Sequence, residues 1–377
     1  MASYQVISSD SHIFEPRDLW TSRLEPKFKD RAPHVVHRAQ DDSDWWVCDG
    51  IRGVSGGSGG SMVGKRFNDP DKLKFADNMK NVRLGGYIPE EHVKDMHIDG
   101  IEGEILYPTE GLFLYLVPDS ALLSAVCRTY NDWIAEFCRP FPRRLKGIAM
   151  INIDDVQEGV QELQRAAKLG LAGGLITCYP PESRPYYGPE YDPLWAAAQA
   201  LDMPLSLSLH VSTNRPSASA PRVDLEAITP SVLANIDHWV RMSLGDMIFG
   251  GVFERYPKLR VGSVEHEVSW AVHFIDRLDY TYTQRPATGG RRKFKGEMLP
   301  SDFFHRNVFL SFQDDALGVK MRDILGVDNL MWGSDYPHPE CMFPMSRQVL
   351  EKILTDCTEE EKAKIAGGNA ARLYHFD

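Results

Sequence analysis

No stretch of this chain approaches the roughly 20 consecutive apolar residues that a membrane-crossing helix needs. Its start, MASYQVISSD, has neither a basic beginning nor a long apolar core, so it does not read as a secretory signal or an anchor. Cysteine is sparse. Cys48, Cys127, Cys138, Cys178, Cys341 and Cys357 form no CxxC pair and no regular spacing, which speaks against a disulfide framework and against a cysteine zinc knuckle. Reduced, mostly buried thiols and a cytoplasmic protein are expected. Positive charge is also short: 42 Lys and Arg against 53 Asp and Glu give a net charge of −11. The one short basic cluster, Arg291, Arg292 and Lys293, lies in a Gly-flanked stretch and reads as a solvated loop. General affinity for nucleic acid is thereby excluded, and neither nucleic acid nor membrane is an expected partner. Finally, no GxGxxG follows the first strand candidate and no phosphate loop occurs elsewhere, which weakens an open dinucleotide-binding sheet.

What is present is a rhythm. Short β-rich runs alternate with longer helical patterns along 377 residues, enough for one large domain. The strand candidates are Tyr4–Ser9, Gly103–Tyr107, Leu145–Asn152, Gly173–Cys178, Pro204–His210, Leu259–Glu265, Asn307–Phe312 and Leu330–Ser334. Helical periodicity fills Ser120–Arg139, Val156–Leu169, Leu194–Leu201, Leu225–Tyr256, Ser269–Tyr282 and Ser346–Leu354. Eight strand–helix repeats predict an α/β fold of the (β/α)8 TIM-barrel type over residues 1–377. Residues 31–89 break the rhythm and contain GVSGGSGGSMVG. They read as an insertion after the first strand, either a surface loop or a lid over the barrel mouth.

Chemistry gathers at strand tips, where barrel enzymes place it. Asp10 and His12, two apart in SSDSHIFEP, project to one side of the first strand. PLSLSLHVS brings His210 to the tip of the fifth, above two small serines. LMWGSDYPHPE brings Asp335 past the tip of the eighth. Imidazole and carboxylate together suit Zn²⁺, Mn²⁺ or Fe²⁺ and leave a position for water or substrate. The expected cofactor is one divalent ion on Asp10, His12, His210 and Asp335, zinc by preference. No Lys stands out as a carbamylated bridge to a second ion.

These residues bring a family into view. DSHIFEPRDLW, GEILYPTEGL, YDPLWAAAQALDMPLSLSLHVS, GGVFERYPKLRVGSVE and WGSDYPHPE together make the chain resemble the amidohydrolase superfamily of metal-dependent barrels. It is more closely similar to the amidohydrolase-related branch that holds non-oxidative decarboxylases such as aminocarboxymuconate semialdehyde decarboxylase. The resemblance implies that Asp10 and His12 match an HxH-like ligand pair, with Asp in the first place. It implies that His210 is a ligand and that Asp335 is both ligand and proton carrier. It also implies a homodimer or larger assembly. At the end of the sixth strand, where many relatives carry a catalytic His, this chain has Glu265 followed by His266. Strand alternation is expected to place Val261, Ser263 and Glu265 on one face and to turn Glu265 inward; His266 is the second candidate for that role.

Other residues keep two readings. Glu15 is a ligand, a group behind the ligands, or a carboxylate at a helix start, the second being preferred. His338 contacts substrate or orders the loop between Pro337 and Pro339. Arg215 clamps a substrate carboxylate or orders its loop. Tyr107, with Phe113, Leu114 and Tyr115, walls a substrate pocket or packs the core. His92, His97, His238, His273 and His305 are expected to be structural. The first functional expectation is a metal-dependent hydrolase acting on a small-molecule carbonyl compound, with water activated on the ion, Asp335 as base and Asp335 or Glu265 returning the proton. The lack of an imidazole at position 265 ranks it ahead of a decarboxylase of aromatic or dienoic acids. An inactive barrel used as a binding module is the third reading.

Overall fold

The structure is a computed structural model, described for residues 4–56, 60–74, 76–208, 229–285 and 293–376. Eight parallel strands form the predicted barrel: β1 (Ile7–Ile13), β5 (Gly103–Pro108), β6 (Leu145–Met150), β7 (Gly173–Ile176), β8 (Leu205–Ser208), β9 (Val261–Val264), β10 (Val308–Phe312) and β11 (Leu330–Trp332). All but β6 are buried at every residue, as strands enclosed on both faces must be. Helices follow the strands and cover the outside. Ser120–Cys138 and Val156–Lys168 start where Asp119 and Asp155 accept N–H bonds from their first turns. The continuous helix expected over Leu225–Tyr256 is instead broken into Pro230–Leu233, His238–Phe249 and Val252–Arg255. Gly250 and Gly251 separate the last two, Gly251 at φ 69°.

The first strand runs further than its apolar residues suggest. Ser8 pairs with Glu104 and Ser11 with Leu106, so β1 carries one extra residue against β5 in a β-bulge. Asp10 and His12 therefore lie inside the strand rather than beyond it. The cylinder closes between β11 and β1 through Asp335 N–H donating to Asp10 O (2.9 Å) and His12 N–H donating to Tyr336 O (2.6 Å). Gly333 makes that approach feasible, since a Cβ there would sit 2.6 Å from the Cβ of Asp10. Inside, the wall is more polar than the aliphatic layers usual in such barrels: Ser9 bonds Ser311 (2.7 Å) and Tyr107 bonds Ser206 (2.7 Å).

The described part of the insertion is ordered. β2 (His34–Arg38), β3 (Ser43–Cys48) and β4 (Ile51–Ser55) make an antiparallel sheet. Asp49 and Gly50, at φ 48° and 78°, form the two-residue turn between β3 and β4 that Asp-Gly favours. Trp46 packs edge-on against Trp20 at 5.2 Å, and Arg66 reaches Asp314 (3.0 Å) and the carbonyl of Glu340 (2.6 Å), past the ends of β10 and β11.

Candidate metal centre

His12 is wholly buried, and its Nδ1–H donates to Pro108 O at 2.9 Å. That bond turns Nε2 toward the barrel axis in the form a metal requires. Nε2 lies 3.4 Å from Asp10 Oδ1, 3.4 Å from Asp335 Oδ1 and 3.7 Å from Glu265 Oε1. Burial alone would lower the pKa of this imidazole, but the hydrogen bond and charge of Asp10 and the charges of Glu265 and Asp335 push it up to about 10. Three carboxylates around one buried nitrogen call for a cation.

Two of the acids stand on left-handed backbone: Glu265 at φ 65° and Asp335 at φ 57°. Such conformations cost energy for residues other than glycine and gather at functional sites. For Glu265 the kink decides the geometry. Its strand neighbours Gly262 and Val264 pair with the inward-facing Ser206 and Ser208, so Ser263 faces outward and plain alternation would turn residue 265 outward too. The left-handed turn reverses it, and Ser208 Oγ donates to Glu265 Oε2 at 3.0 Å. Glu265 thus faces inward as expected, though not by the expected alternation. His266 goes the other way. It is buried, with Nδ1 3.1 Å from Ser263 Oγ and Nε2 3.8 Å from Cys178 Sγ, away from the centre.

His338 completes the cluster. Its ring stacks on that of His12 (centroids 3.9 Å apart, 25° between planes), and Nδ1 lies 3.0 Å from Asp335 Oδ1 and 4.0 Å from Glu265 Oε1. Ligand atoms of His12, Glu265, Asp335 and His338 all fall within 4.8 Å of one another. Burial first, then the charge of Glu265, holds the Asp335 carboxyl well above the usual carboxylate range. Asp10 adjoins this group through His12. The donors, two imidazoles and acid oxygens in a buried concave site, fit a divalent transition ion.

The remaining expectations divide. His210 and Arg215 lie outside the described residues. Glu15, 1% exposed, is outside the cluster and accepts the N–H groups of Glu110 and Gly111 at 2.9 Å each. Tyr107 is wholly buried, its ring 6.0 Å from that of His12, with its hydroxyl on Ser206 and 3.4 Å from that of Tyr374. Phe113, Leu114 and Tyr115 are buried in the core as well. One residue escaped the sequence reading: Thr109, whose Oγ1 lies 3.1 Å from His338 Nε2. Its place in YPTEGL, just past a strand tip, was the available signal.

Among curated proteins, the chain is 24% identical over 302 residues to a gamma-resorcylate decarboxylase from Polaromonas sp. strain JS666, covering 77% of this chain and 88% of that protein. It is 23% identical over 301 residues to the 2-amino-3-carboxymuconate-6-semialdehyde decarboxylase of Dictyostelium discoideum, covering 77% of each. Among solved structures, an amidohydrolase from Mycobacterium avium subsp. paratuberculosis K-10 superposes with a TM-score of 0.79 at 21% identity, over 99% of this chain and all of that one. The dihydroxybenzoic acid decarboxylase of Polaromonas sp. JS666, solved with manganese and the inhibitor 2-nitroresorcinol, superposes with a TM-score of 0.64 at 19% identity, over 99% and 97%. These findings overturn the hydrolase expectation, since the curated relatives that match are decarboxylases. An imidazole also stands beside Asp335, that of His338, with Nδ1 3.0 Å from Oδ1. The preference for zinc finds no support either; the metal named in the related structure is manganese. The sequence model described as Amidohydrolase matches residues 111–376, more than two thirds of the chain, and with the barrel and its strand-tip cluster this establishes that the chain belongs to the amidohydrolase family.

Proposed function

We propose that this chain is a metal-dependent, non-oxidative decarboxylase of a hydroxylated aromatic or dienoic carboxylic acid. The observation that carries the reading is the convergence of His12, Glu265, Asp335 and His338 within 4.8 Å, in a chain whose matching relatives are decarboxylases. His12 and Asp335 would hold the ion, with Asp10, Glu265 and His210 as the further donors, and manganese is the first choice. When bound, the ion supplies positive charge and Lewis acidity.

The protein's own groups do the rest. The bond between the substrate's carboxyl carbon and its ring or diene carbon breaks, CO₂ leaves, and the electron pair stays on the carbon left behind. Asp335, once protonated from solvent, gives its proton to that carbon. Glu265, which faces the same nitrogen of His12, is its acidic neighbour. His338, stacked on His12, fixes the near side of the site. Burial of the cluster keeps water from a carbanion-like carbon.

The test is release of CO₂ when manganese-loaded protein meets a panel of hydroxybenzoates, gamma-resorcylate among them, and an aminocarboxymuconate semialdehyde. CO₂ from at least one member is the expected result. Silence across the panel, together with turnover of an ester or amide, would overturn the proposal.

A further inference from the structure

His338 has two nitrogens and two different partners, and the second of these leads away from the centre. Nδ1 faces the Asp335 carboxylate at 3.0 Å. Beside the ionised form of Asp335, Nδ1 carries the hydrogen and Nε2 of the neutral ring accepts. The hydroxyl of Thr109 lies within reach of Nε2, at 3.1 Å. Thr109 sits in the turn after β5, and the next two N–H groups of that turn, from Glu110 and Gly111, are both taken by one carboxylate, Glu15, at 2.9 Å each. Glu15 in turn lies three residues beyond His12. The turn that aims Thr109 is thus fixed from the first strand, through a buried acid that keeps two oxygens on two backbone donors.

We infer that Glu15 and Thr109 are positioning residues for His338: Glu15 holds the turn after β5 so that the Thr109 hydroxyl fixes the ring orientation and tautomer of His338 over His12. Neither supplies a ligand atom itself; Thr109 meets the cluster at His338. This inference rests on the reading of His338 as part of the reactive site, and it deepens that reading. It also explains the T-E-G run, in which Thr supplies the hydroxyl and the following two residues supply N–H groups.

Thr109→Val removes the hydroxyl at nearly constant volume, and Thr109→Ser restores it. Glu15→Gln replaces one accepting oxygen with an amide nitrogen that cannot accept. In ¹⁵N-histidine spectra of the protein loaded with diamagnetic zinc, with the His338 signal assigned from its loss in His338→Gln, wild type and Thr109→Ser should show one ring tautomer. Thr109→Val and Glu15→Gln should show a mixture. For manganese binding and kcat we expect Thr109→Val to lose about 10-fold or more, within the range usual for groups that orient a metal ligand, with KM shifted less than kcat and Thr109→Ser close to wild type. A single unchanged His338 tautomer and unchanged manganese affinity in Thr109→Val would overturn the inference, whatever becomes of Glu15→Gln. Should wild type release no CO₂ while the tautomer and manganese results hold, the decarboxylase reading falls and the positioning stands.

Discussion

In the proposed reaction Asp335 is acid and ligand as well as seam residue, and its replacement tests all three. Asp335→Asn keeps the size and the N–H bond to Asp10 O but removes the transferable proton and the anionic oxygen. Turnover should fall by about 100-fold or more, with far-UV dichroism unchanged; near-normal activity would take Asp335 out of the mechanism. For Glu265→Gln, manganese affinity measured by titration should drop by about 10-fold or more, because one of the acids facing His12 Nε2 loses its charge. An unchanged affinity would make it a bystander. Asp10, His12, Glu265 and Asp335 were readable from sequence because strand tips in a β/α repeat are countable. The inward turn of Glu265 was not, since it depends on a left-handed φ that Glu adopts only under surrounding constraint. The same kink sends His266 outward, against the second candidate. Thr109 went unread because a lone hydroxyl carries no spacing signature.

At the scale of elements, the strand–helix alternation was legible from apolar runs and breakers, whereas the sheet β2–β3–β4 was not, although Asp49-Gly50 between WWVC and IRGVS is a strong hairpin signal. The Gly- and Ser-rich run beside it drew attention to flexibility instead. A different joint offers a pH test. Asp99, at the end of the helix Pro89–Asp99, accepts the N–H (2.9 Å) and hydroxyl (2.5 Å) of Ser346 at the start of the helix Ser346–Ile353. Burial pushes its carboxyl up to about 6, with the Ser346 bonds opposing. The folded chain then keeps a proton that the unfolded chain releases near pH 4. This group's contribution is therefore full below about pH 4 and is lost as pH rises toward 6. In urea titrations, Asp99→Asn should gain on wild type by on the order of 1 kcal/mol between pH 4 and pH 6. A difference constant across that range would refute it.

The barrel's first and last strands meet at the candidate metal centre, and on the proposed function that places its stability and its chemistry under one control. Chelation should lower the melting temperature as well as stop turnover, and manganese should restore both, since a ligand bound only by the folded form stabilises it by mass action. A melting temperature indifferent to manganese would argue against a resident ion. The architecture could be foreseen because eight repeats leave few topologies; the closure could not, because it depends on Gly333 admitting Asp10 and on backbone bonds spaced more than three hundred residues apart. Of the residues that make those two bonds, Asp335 N–H to Asp10 O and His12 N–H to Tyr336 O, Asp10, His12 and Asp335 also have side chains that crowd the axis. An ion gripped there would act as a rivet through a lap joint: amides of β1 and β11 should exchange hydrogen slowly while it is in place, and prising the two ends of the barrel apart would be the route by which it leaves.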